Sequence, residues 1–275
     1  SEQGILVVTG SSSLKLEVIS MKSLFRWGTT LSLVASALLG SVSAENLAAL
    51  ALTEEQVREK LRPVPVFAVT DNAGSPLVAS IPDQQDQKKT TSVAGVFISQ
   101  EDAKAFVQRL KQENPELGNK VKVVPVSLGE VHEQNQKNRT VANGLNFAYI
   151  PNQQQVKQAQ AIWNQNGQEK KPFQGVPLFV AKEASNSGYL TIQQNGVSSI
   201  PFFFNKEQLQ NIVNRYKQQD PNSQVKIEVV PLEGVIQTLQ ESNDQQLEKI
   251  VLVPSQESLK FLQSLSQNQL QRPNQ

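Results

Sequence analysis

The residue best suited to acid–base chemistry is His132, the only histidine in the 275-residue chain. It stands in the segment 129–133 (GEVHE), so a hydrolase of the Ser-His-Asp type would have to use this imidazole together with a nearby acid. The segment is mostly polar, and nothing in the pattern marks a buried acid that would orient the ring. We therefore predict a solvated histidine. A hydrolase that depends on His132 is kept as one alternative hypothesis for the function.

Other forms of catalysis find little support in the composition. The chain has no cysteine, which excludes thiol catalysis, disulfides and Cys-ligated metals, and one histidine is too few for zinc sites with several imidazoles. The phosphate-binding, nucleophile-elbow and zinc-protease motifs are missing from the sequence. The acidic pairs Glu54/Glu55 and Glu101/Asp102 fall where helices should begin, so the helix dipole explains them. We predict no enzymatic activity and no catalytic, metal-ligating or cofactor-binding residue.

The charge balance argues against nucleic acid as a partner. Lys and Arg together number 26 and Asp and Glu 25, so the net charge is too small to attract a polyanion. The pairs Lys88-Lys89 and Lys170-Lys171 are too short to form a basic stripe.

A second beginning is visible at Met21, the only methionine. Lys22 and Arg26 are followed by the apolar stretch 29–40 and by Val42 and Ala44, the layout of a secretory signal peptide. The apolar stretch is too short to span a bilayer, which takes about 20 residues; a membrane anchor or a buried helix is the alternative. We predict a signal peptide at 21–44, an upstream extension outside the fold at 1–20, and an exported, soluble mature chain without a membrane span.

The rest of the chain contains an internal duplication. Residues 64–67 (VPVF) return as 176–179 (VPLF), 97–101 (FISQE) as 203–207 (FFNKE), and 122–125 (KVVP) as 228–231 (EVVP). The sequence thus predicts two α+β repeats, at 64–167 and 168–266. An N-terminal helical segment at 45–63 precedes them, and a disordered tail at 267–275 follows them.

The local patterns predict the same elements in both repeats. Each repeat reads as a β-hairpin, a strand, a helix, a strand, a short helical or irregular stretch, a strand and a helix. Ser99 and Asn205 stand where the first helix of each repeat should be capped. Pro65 and Pro177 lie inside apolar strands, which predicts an edge position or a bulge. The expected fold is α+β: two tandem homologous units with pseudo-twofold symmetry, each a small mixed or antiparallel sheet packed with helices.

Phenylalanines dominate the most apolar segments, with the run 202–204 (FFF) foremost. Side-chain alternation places Phe203 on one face of a strand and its two neighbours on the other. Either the strand is buried on both faces, or one face lines an exposed apolar groove that binds an unfolded client. For the groove, the candidate client-binding residues are Phe67, Phe97, Phe179, Phe202, Phe203 and Phe204.

Three segments carry a family resemblance: 61–70 (LRPVPVFAVT), 175–179 (GVPLF) and 201–204 (PFFF). Together with the signal sequence they resemble the Tic22 family, whose plant members belong to the chloroplast protein-import machinery between the envelope membranes. The Gln-rich sequence and the bacterial type of signal peptide make the chain similar to a cyanobacterial member.

The resemblance implies a soluble periplasmic factor without enzymatic activity or cofactor. It would assist precursor translocation or outer-membrane protein biogenesis by binding clients through apolar surface without ATP. The implied partners are unfolded precursors or outer-membrane proteins and a barrel-assembly protein of the outer membrane. The location would be the periplasm, with the thylakoid lumen or the thylakoid membrane surface as alternatives. A periplasmic small-ligand-binding protein, with its site between the two halves, is the alternative function.

Overall fold

The computed structural model describes residues 5–7, 30–33, 51–82, 90–141, 144–165, 171–183, 188–194, 197–242 and 244–270. Most of the predicted upstream extension and signal peptide lies outside these residues, as do 271–275 of the predicted tail.

The described chain forms two compact units. The first is built mainly from Leu61–Asn152 and from the chain that starts at Glu257, and the second from residues 51–60 and Gln153–Gln256. Each unit therefore contains a helix that belongs to the other repeat in the sequence. The compact units do not coincide with the linear segments 64–167 and 168–266, because the last helix of each segment packs in the other unit.

The first unit is built around a mixed sheet. Two short strands come first along the chain: β1 (Ile5–Val7) lies in this sheet, and β2 (Thr30–Leu33) lies in the sheet of the second unit. The strands that follow in the first unit are β3 (Pro65–Asp71), β4 (Leu77–Pro82), β5 (Thr90–Phe97), β6 (Val121–Ser127) and β7 (Asn146–Ile150). The strand order is β1-β4-β5-β3-β6, and β7 pairs with β5 in parallel while the other pairs are antiparallel.

The sheet of the second unit has the same order. Its strands are β8 (Pro177–Glu183), β9 (Leu190–Gln194), β10 (Val197–Phe203), β11 (Val225–Pro231) and β12 (Ile250–Val253). They follow the order β11-β8-β10-β9-β2, with β12 parallel to β10. Phe203 pairs with Phe179 in this sheet, just as Phe97 pairs with Phe67 in the first. The mixed α+β class is confirmed.

Eight α-helices lie in the described chain, with one 3-10 helix at Gln245–Lys249. They are α1 (Glu54–Leu61), α2 (Gln100–Glu113), α3 (Pro115–Gly118), α4 (Leu128–Asn138), α5 (Gln153–Trp163), α6 (Lys206–Gln219), α7 (Leu232–Glu241) and α8 (Gln256–Leu270). Helices α4 and α7 occupy the stretches predicted as short helical or irregular. Helix α8 continues to Leu270, past residue 267, where the predicted tail begins.

The predicted helix caps are present in both units. The Ser99 side chain accepts a hydrogen bond from the Asp102 backbone N–H at the start of α2, and the Asn205 side chain accepts one from that of Gln208 at the start of α6. Asn114 and Asp220, each followed by a proline, cap the other ends of these helices. Each cap stands two residues after the strand before it, which ends at Phe97 in the first unit and at Phe203 in the second.

The prediction that the proline-containing strands lie at an edge or a bulge is wrong. Strand β3 lies between β5 and β6, and β8 lies between β10 and β11. Pro65 and Pro177 are the first residues of these strands. At that position the missing N–H group removes little from the sheet, so a central strand tolerates the proline.

Helix α1 belongs to the second unit through a lysine at its end. The Lys60 Nζ donates hydrogen bonds to the backbone oxygens of Glu248, at 2.7 Å, and Ile250, at 3.1 Å. Burial of the ammonium lowers the pKa of Lys60, and the nearby Glu248 carboxylate opposes part of this effect. These contacts connect α1 to the segment that leads into β12.

Candidate client-binding site

The candidate phenylalanines all lie inside the protein, and Phe67 is 0% exposed. The six buried side chains are Phe67, Phe97, Phe179, Phe202, Phe203 and Phe204. Of the two arrangements that the sequence left open for residues 202–204, the structure has the strand that is buried on both faces. An open groove lined by these rings is therefore absent from the described residues, and the six side chains act first as core residues.

In the first unit, phenylalanine rings of β3 and β5 pack against helices α2 and α8. We call this group the Phe67 cluster, and its buried members are Phe67, Val69, Leu77, Phe97, Ala103, Val107, Leu110 and Val121. The Phe106 ring of α2 lies 5.4 Å from that of Phe97, and the Phe261 ring of α8 meets Phe67 edge-on at 5.5 Å. The helix that ends the second repeat thus covers part of the core of the first unit.

Helix α8 is also held at its start by a carboxylate. The Glu257 Oε1 accepts a hydrogen bond from the Glu101 backbone N–H at 2.7 Å, and the Ser99 Oγ donates to Glu257 Oε2 at 3.1 Å. Both partners stand at the N-terminus of α2, where the helix dipole favours a negative charge. One side chain of α8 therefore satisfies backbone and side-chain donors of a helix more than 150 positions earlier.

The second unit has an analogous cluster, completed by α5. We call it the Phe179 cluster; its buried members are Ala159, Ile162, Phe173, Phe179, Ala181, Leu190, Phe203, Leu209, Ile212, Val213, Tyr216, Val225 and Val229. Trp163 packs edge-on against Phe173 at 5.4 Å, and the Phe173 backbone N–H donates to Gln160 Oε1 at 2.6 Å. Helix α5 of the first repeat is therefore an integral part of the core of the second unit.

Polar contacts join the start of α5 to the start of α6. The buried Gln155 accepts a hydrogen bond from the Lys206 backbone N–H at 2.9 Å and donates one to Glu207 at 3.0 Å, while Gln158 donates to the same carboxylate. Burial of the Glu207 carboxyl raises its pKa, but these hydrogen bonds outweigh burial, so the pKa of Glu207 is lowered. The ionised carboxylate is the form that this arrangement favours.

The only histidine does not lie where the sequence predicted. His132 on α4 is 7% exposed and buried beside Leu128 and Val131 in the same helix, so the prediction of a solvated histidine is wrong. The acidic pairs Glu54/Glu55 and Glu101/Asp102 do stand in the first turns of α1 and α2. Within the part of the chain that the structure describes, no group of acidic or histidine side chains could hold a metal ion.

Sequence reasoning missed Glu257, Phe261 and Gln155 as the residues that complete the two units. The pattern predicted a last helix in each repeat but carried no information about which sheet that helix would cover. Large exposed apolar side chains are rare: among the described residues, Val141 and Val197 are those recorded as exposed, at 56% and 64%.

A family model for Tic22-like proteins matches residues 13–264, which is most of the chain. The chain belongs to the Tic22-like family. The fold agrees: it is similar to the solved structure of Anabaena Tic22, a protein-transport protein, with a TM-score of 0.70 and 32% identity over 81% of this chain and all of that one. It is also similar in fold to Tic22 from Plasmodium falciparum, with a TM-score of 0.61 and 21% identity over 77% of this chain and 98% of that one. The Anabaena relative is consistent with a cyanobacterial member.

Plant members of the Tic22-like family are more distant in sequence. The chain is 27% identical to the chloroplastic TIC 22-like protein of Arabidopsis thaliana and 26% identical to its chloroplastic TIC 22, in each case over 70% of this chain. It spans 58% and 64% of the length of these two curated relatives. Among the described residues, no helix combines the length and the hydropathy that crossing a bilayer requires.

Proposed function

We propose that this Tic22-like protein is an exported, ATP-independent factor that binds unfolded clients during precursor translocation or outer-membrane protein biogenesis. The similarity to Anabaena Tic22, a protein-transport protein, is the observation that carries the proposal. The predicted signal peptide supports the periplasm as the site of action, with the thylakoid lumen as the alternative. The absence of nucleotide-binding motifs supports independence from ATP.

The proposal includes the partners that the sequence suggested. Clients would be unfolded precursors or outer-membrane proteins, and a barrel-assembly protein of the outer membrane would be the docking partner. Burying about 400 Å² of apolar surface at roughly 25 cal/mol per Å² gives about 10 kcal/mol before the costs of association. Those costs remove much of the gain and leave reversible binding, which suits a protein that must release its client.

We also propose that the two units descend from one duplicated module. The identical strand orders, the matching pairs Phe67–Phe97 and Phe179–Phe203, and the equivalent caps Ser99 and Asn205 support this origin.

The direct test is aggregation of an unfolded outer-membrane barrel, followed by light scattering. The purified full chain and the 45–275 form, in several-fold molar excess and without nucleotide, should delay aggregation relative to an unrelated globular protein. No delay with either form would contradict the proposal. A thermal-shift series with small molecules addresses the alternative, because one selective stabiliser would favour a ligand-binding protein.

A further inference from the structure

The two sheets differ in the strand that stands at one end of each. Strand β6 pairs with β3 in the first unit, β11 pairs with β8 in the second, and each is the last strand in its order. Within the described part of the chain, no strand pairs with the outer side of β6 or β11. The backbone groups on these outer sides are the ones that a further strand would use.

One hydrogen bond shows which backbone groups of β11 point outward. The Leu232 N–H donates to the Val176 oxygen at 2.8 Å, and these two residues continue the register of β8 and β11. Because hydrogen-bonded and non-bonded pairs alternate in an antiparallel ladder, the even-numbered residues of β11 bond to β8. The N–H and C=O groups of Val225, Ile227 and Val229 therefore point away from β8.

The outer side of β6 is blocked by a proline. The Leu128 N–H donates to the Val64 oxygen at 2.8 Å, so the odd-numbered residues of β6 point outward, and one of them is Pro125. Pro125 and Val229 each lie opposite the phenylalanine of the neighbouring strand, but only the valine has an N–H to donate. Strand β11 has its proline at its last residue, Pro231, so its middle can still pair.

The side chains of β11 are complementary to those of a second β11. When two copies run antiparallel about Ile227, Lys226 of one lies opposite Glu228 of the other, and apolar residues lie opposite apolar ones. Opposite charges at directly opposite positions stabilise such a pair. In its own sheet the exposed Lys226 lies opposite Lys182, a like charge, so the second copy supplies the opposite charge that β8 does not place there.

We infer that the second unit binds a second copy of this chain by antiparallel pairing of the two β11 strands about a twofold axis at Ile227. The outward backbone groups of β11 exchange hydrogen bonds across this axis. Both copies use the same strand, so the contact closes as a dimer and does not propagate into a filament. Strand β6 takes no part, because it has Pro125 and carries Val124 in the place of Glu228.

Pairing also covers apolar surface at the rim of the Phe179 cluster. Val225 and Val229 are buried members of that cluster, whereas Ile227 is only partly buried against it. The Ile227 side chain of a second copy lies on the same face of the extended sheet and covers part of the remaining surface. One pair of strands is a small interface, so we expect an equilibrium between monomer and dimer that depends on concentration.

Sedimentation of the full chain over about 1–500 µM, without any client, measures this equilibrium independently of the proposed function. The chain should shift from monomer to dimer as its concentration rises. Lys226→Glu should weaken the dimer at least about tenfold, whereas Lys122→Glu, at the equivalent exposed position of β6, should match the parent. A chain that stays monomeric throughout, or an equal effect of the two variants, would overturn the inference.

Mixed charge variants separate a lost contact from a lost fold. Lys226→Glu leaves two acidic side chains in the middle of β11, and Glu228→Lys leaves two basic ones. Each variant alone should dimerise at least about tenfold more weakly than the parent, because like charges then lie opposite each other. An equimolar mixture should form a heterodimer at about the concentrations at which the parent dimerises, and failure of the mixture to do so would overturn the inference.

Hydrogen exchange resolved by residue tests the register and the other possible occupants of the edge. In a dilute monomer, the amides of Ile227 and Val229 should exchange at least about tenfold faster than that of Glu228, which bonds to β8. They should become protected as the dimer forms. Protection already in the monomer would show that another part of this chain covers the edge. Protection only with an unfolded outer-membrane barrel would assign the edge to clients, and either result would overturn the inference.

Discussion

Gln155 and Lys206 are 51 positions apart, yet the Gln155 Oε1 accepts a hydrogen bond from the Lys206 backbone N–H at 2.9 Å. The same amide donates to Glu207 at 3.0 Å, so one buried side chain joins the starts of α5 and α6. Since α5 belongs to the first predicted repeat and α6 to the second, this contact adds to the apolar packing of Ala159 and Ile162 that makes the second unit depend on both.

Gln155→Ala should destabilise the second unit. The substitution removes the hydrogen bonds of the buried Gln155 amide with the Lys206 backbone N–H and the Glu207 carboxylate, which costs about 1–3 kcal/mol in total. Gln154→Ala, at an exposed position of the same helix, should stay within about 0.5 kcal/mol of the parent. Urea unfolding monitored by circular dichroism measures the stability of both variants. Equal urea midpoints for Gln155→Ala and Gln154→Ala would show that the Gln155 contacts contribute nothing to stability.

Acid should weaken the second unit through Glu207. The folded-state pKa of this carboxyl is lowered below its ordinary value of 4.5, so its stabilising contribution is complete above that value and is lost as the pH falls through the folded-state pKa. Glu207→Gln should lower the urea midpoint at neutral pH and approach the parent in acid. Glu113→Gln, an exposed carboxyl on α2, is the control and should follow the parent. A constant difference between Glu207→Gln and the parent at every pH would contradict the prediction.

Gly175→Ala should be more costly than Gly74→Ala. Both glycines have positive φ, +87° and +91°, so alanine strains the backbone at each by about 1–2 kcal/mol. At Gly175 a Cβ would also clash with a Glu233 carboxylate oxygen, whereas nothing lies within 4 Å at Gly74. Glu233 accepts from the Val176 backbone N–H at 3.2 Å, so the clash displaces a contact that precedes β8. Differential scanning calorimetry should give the lower melting temperature for Gly175→Ala; the reverse order would exclude the role assigned to Glu233.

Phe203→Ala should destabilise the second unit, and any loss of client binding should follow from that destabilisation. Phe203 is fully buried in the Phe179 cluster, and removal of such a ring costs about 3–5 kcal/mol. Val197→Ala, at an exposed position of the same strand, should change stability by less than about 0.5 kcal/mol. Thermal unfolding measures the stability of the two variants. A Phe203→Ala chain with unchanged stability and lost client binding would instead show that this ring is a contact residue.

The local features of the fold follow from short-range patterns. Ser99 and Asn205 were predicted as caps because a short side-chain acceptor before an amphipathic run satisfies the exposed N–H groups of a first turn. Strands were predicted at 225–230 and 250–253 because β-branched residues cluster between turn signals, and the structure has strands there. The error at Pro65 and Pro177 arose because a proline at the first position of a strand looks, in the sequence, like one in its interior.

The long-range features could not be obtained in this way. The spacing of Leu259 and Leu262 defines an apolar face but not the sheet that receives it. His132 was predicted to be solvated because its neighbours Glu130 and Glu133 are charged, but α4 turns Leu128, Val131 and His132 inward together. Phe67 and Phe203 were predicted as candidate client-binding residues, and whether they bind clients stays a prediction; in the structure both are buried.

The exchange of terminal helices has a consequence for biosynthesis. Ser99 and Glu257 are 158 positions apart, so the first unit lacks this helix until the ribosome has passed residue 257. Contacts of such long sequence separation slow folding, because the loop between them must be closed before they form. The first unit of a nascent chain therefore stays incompletely packed until residues 256–270 have been made.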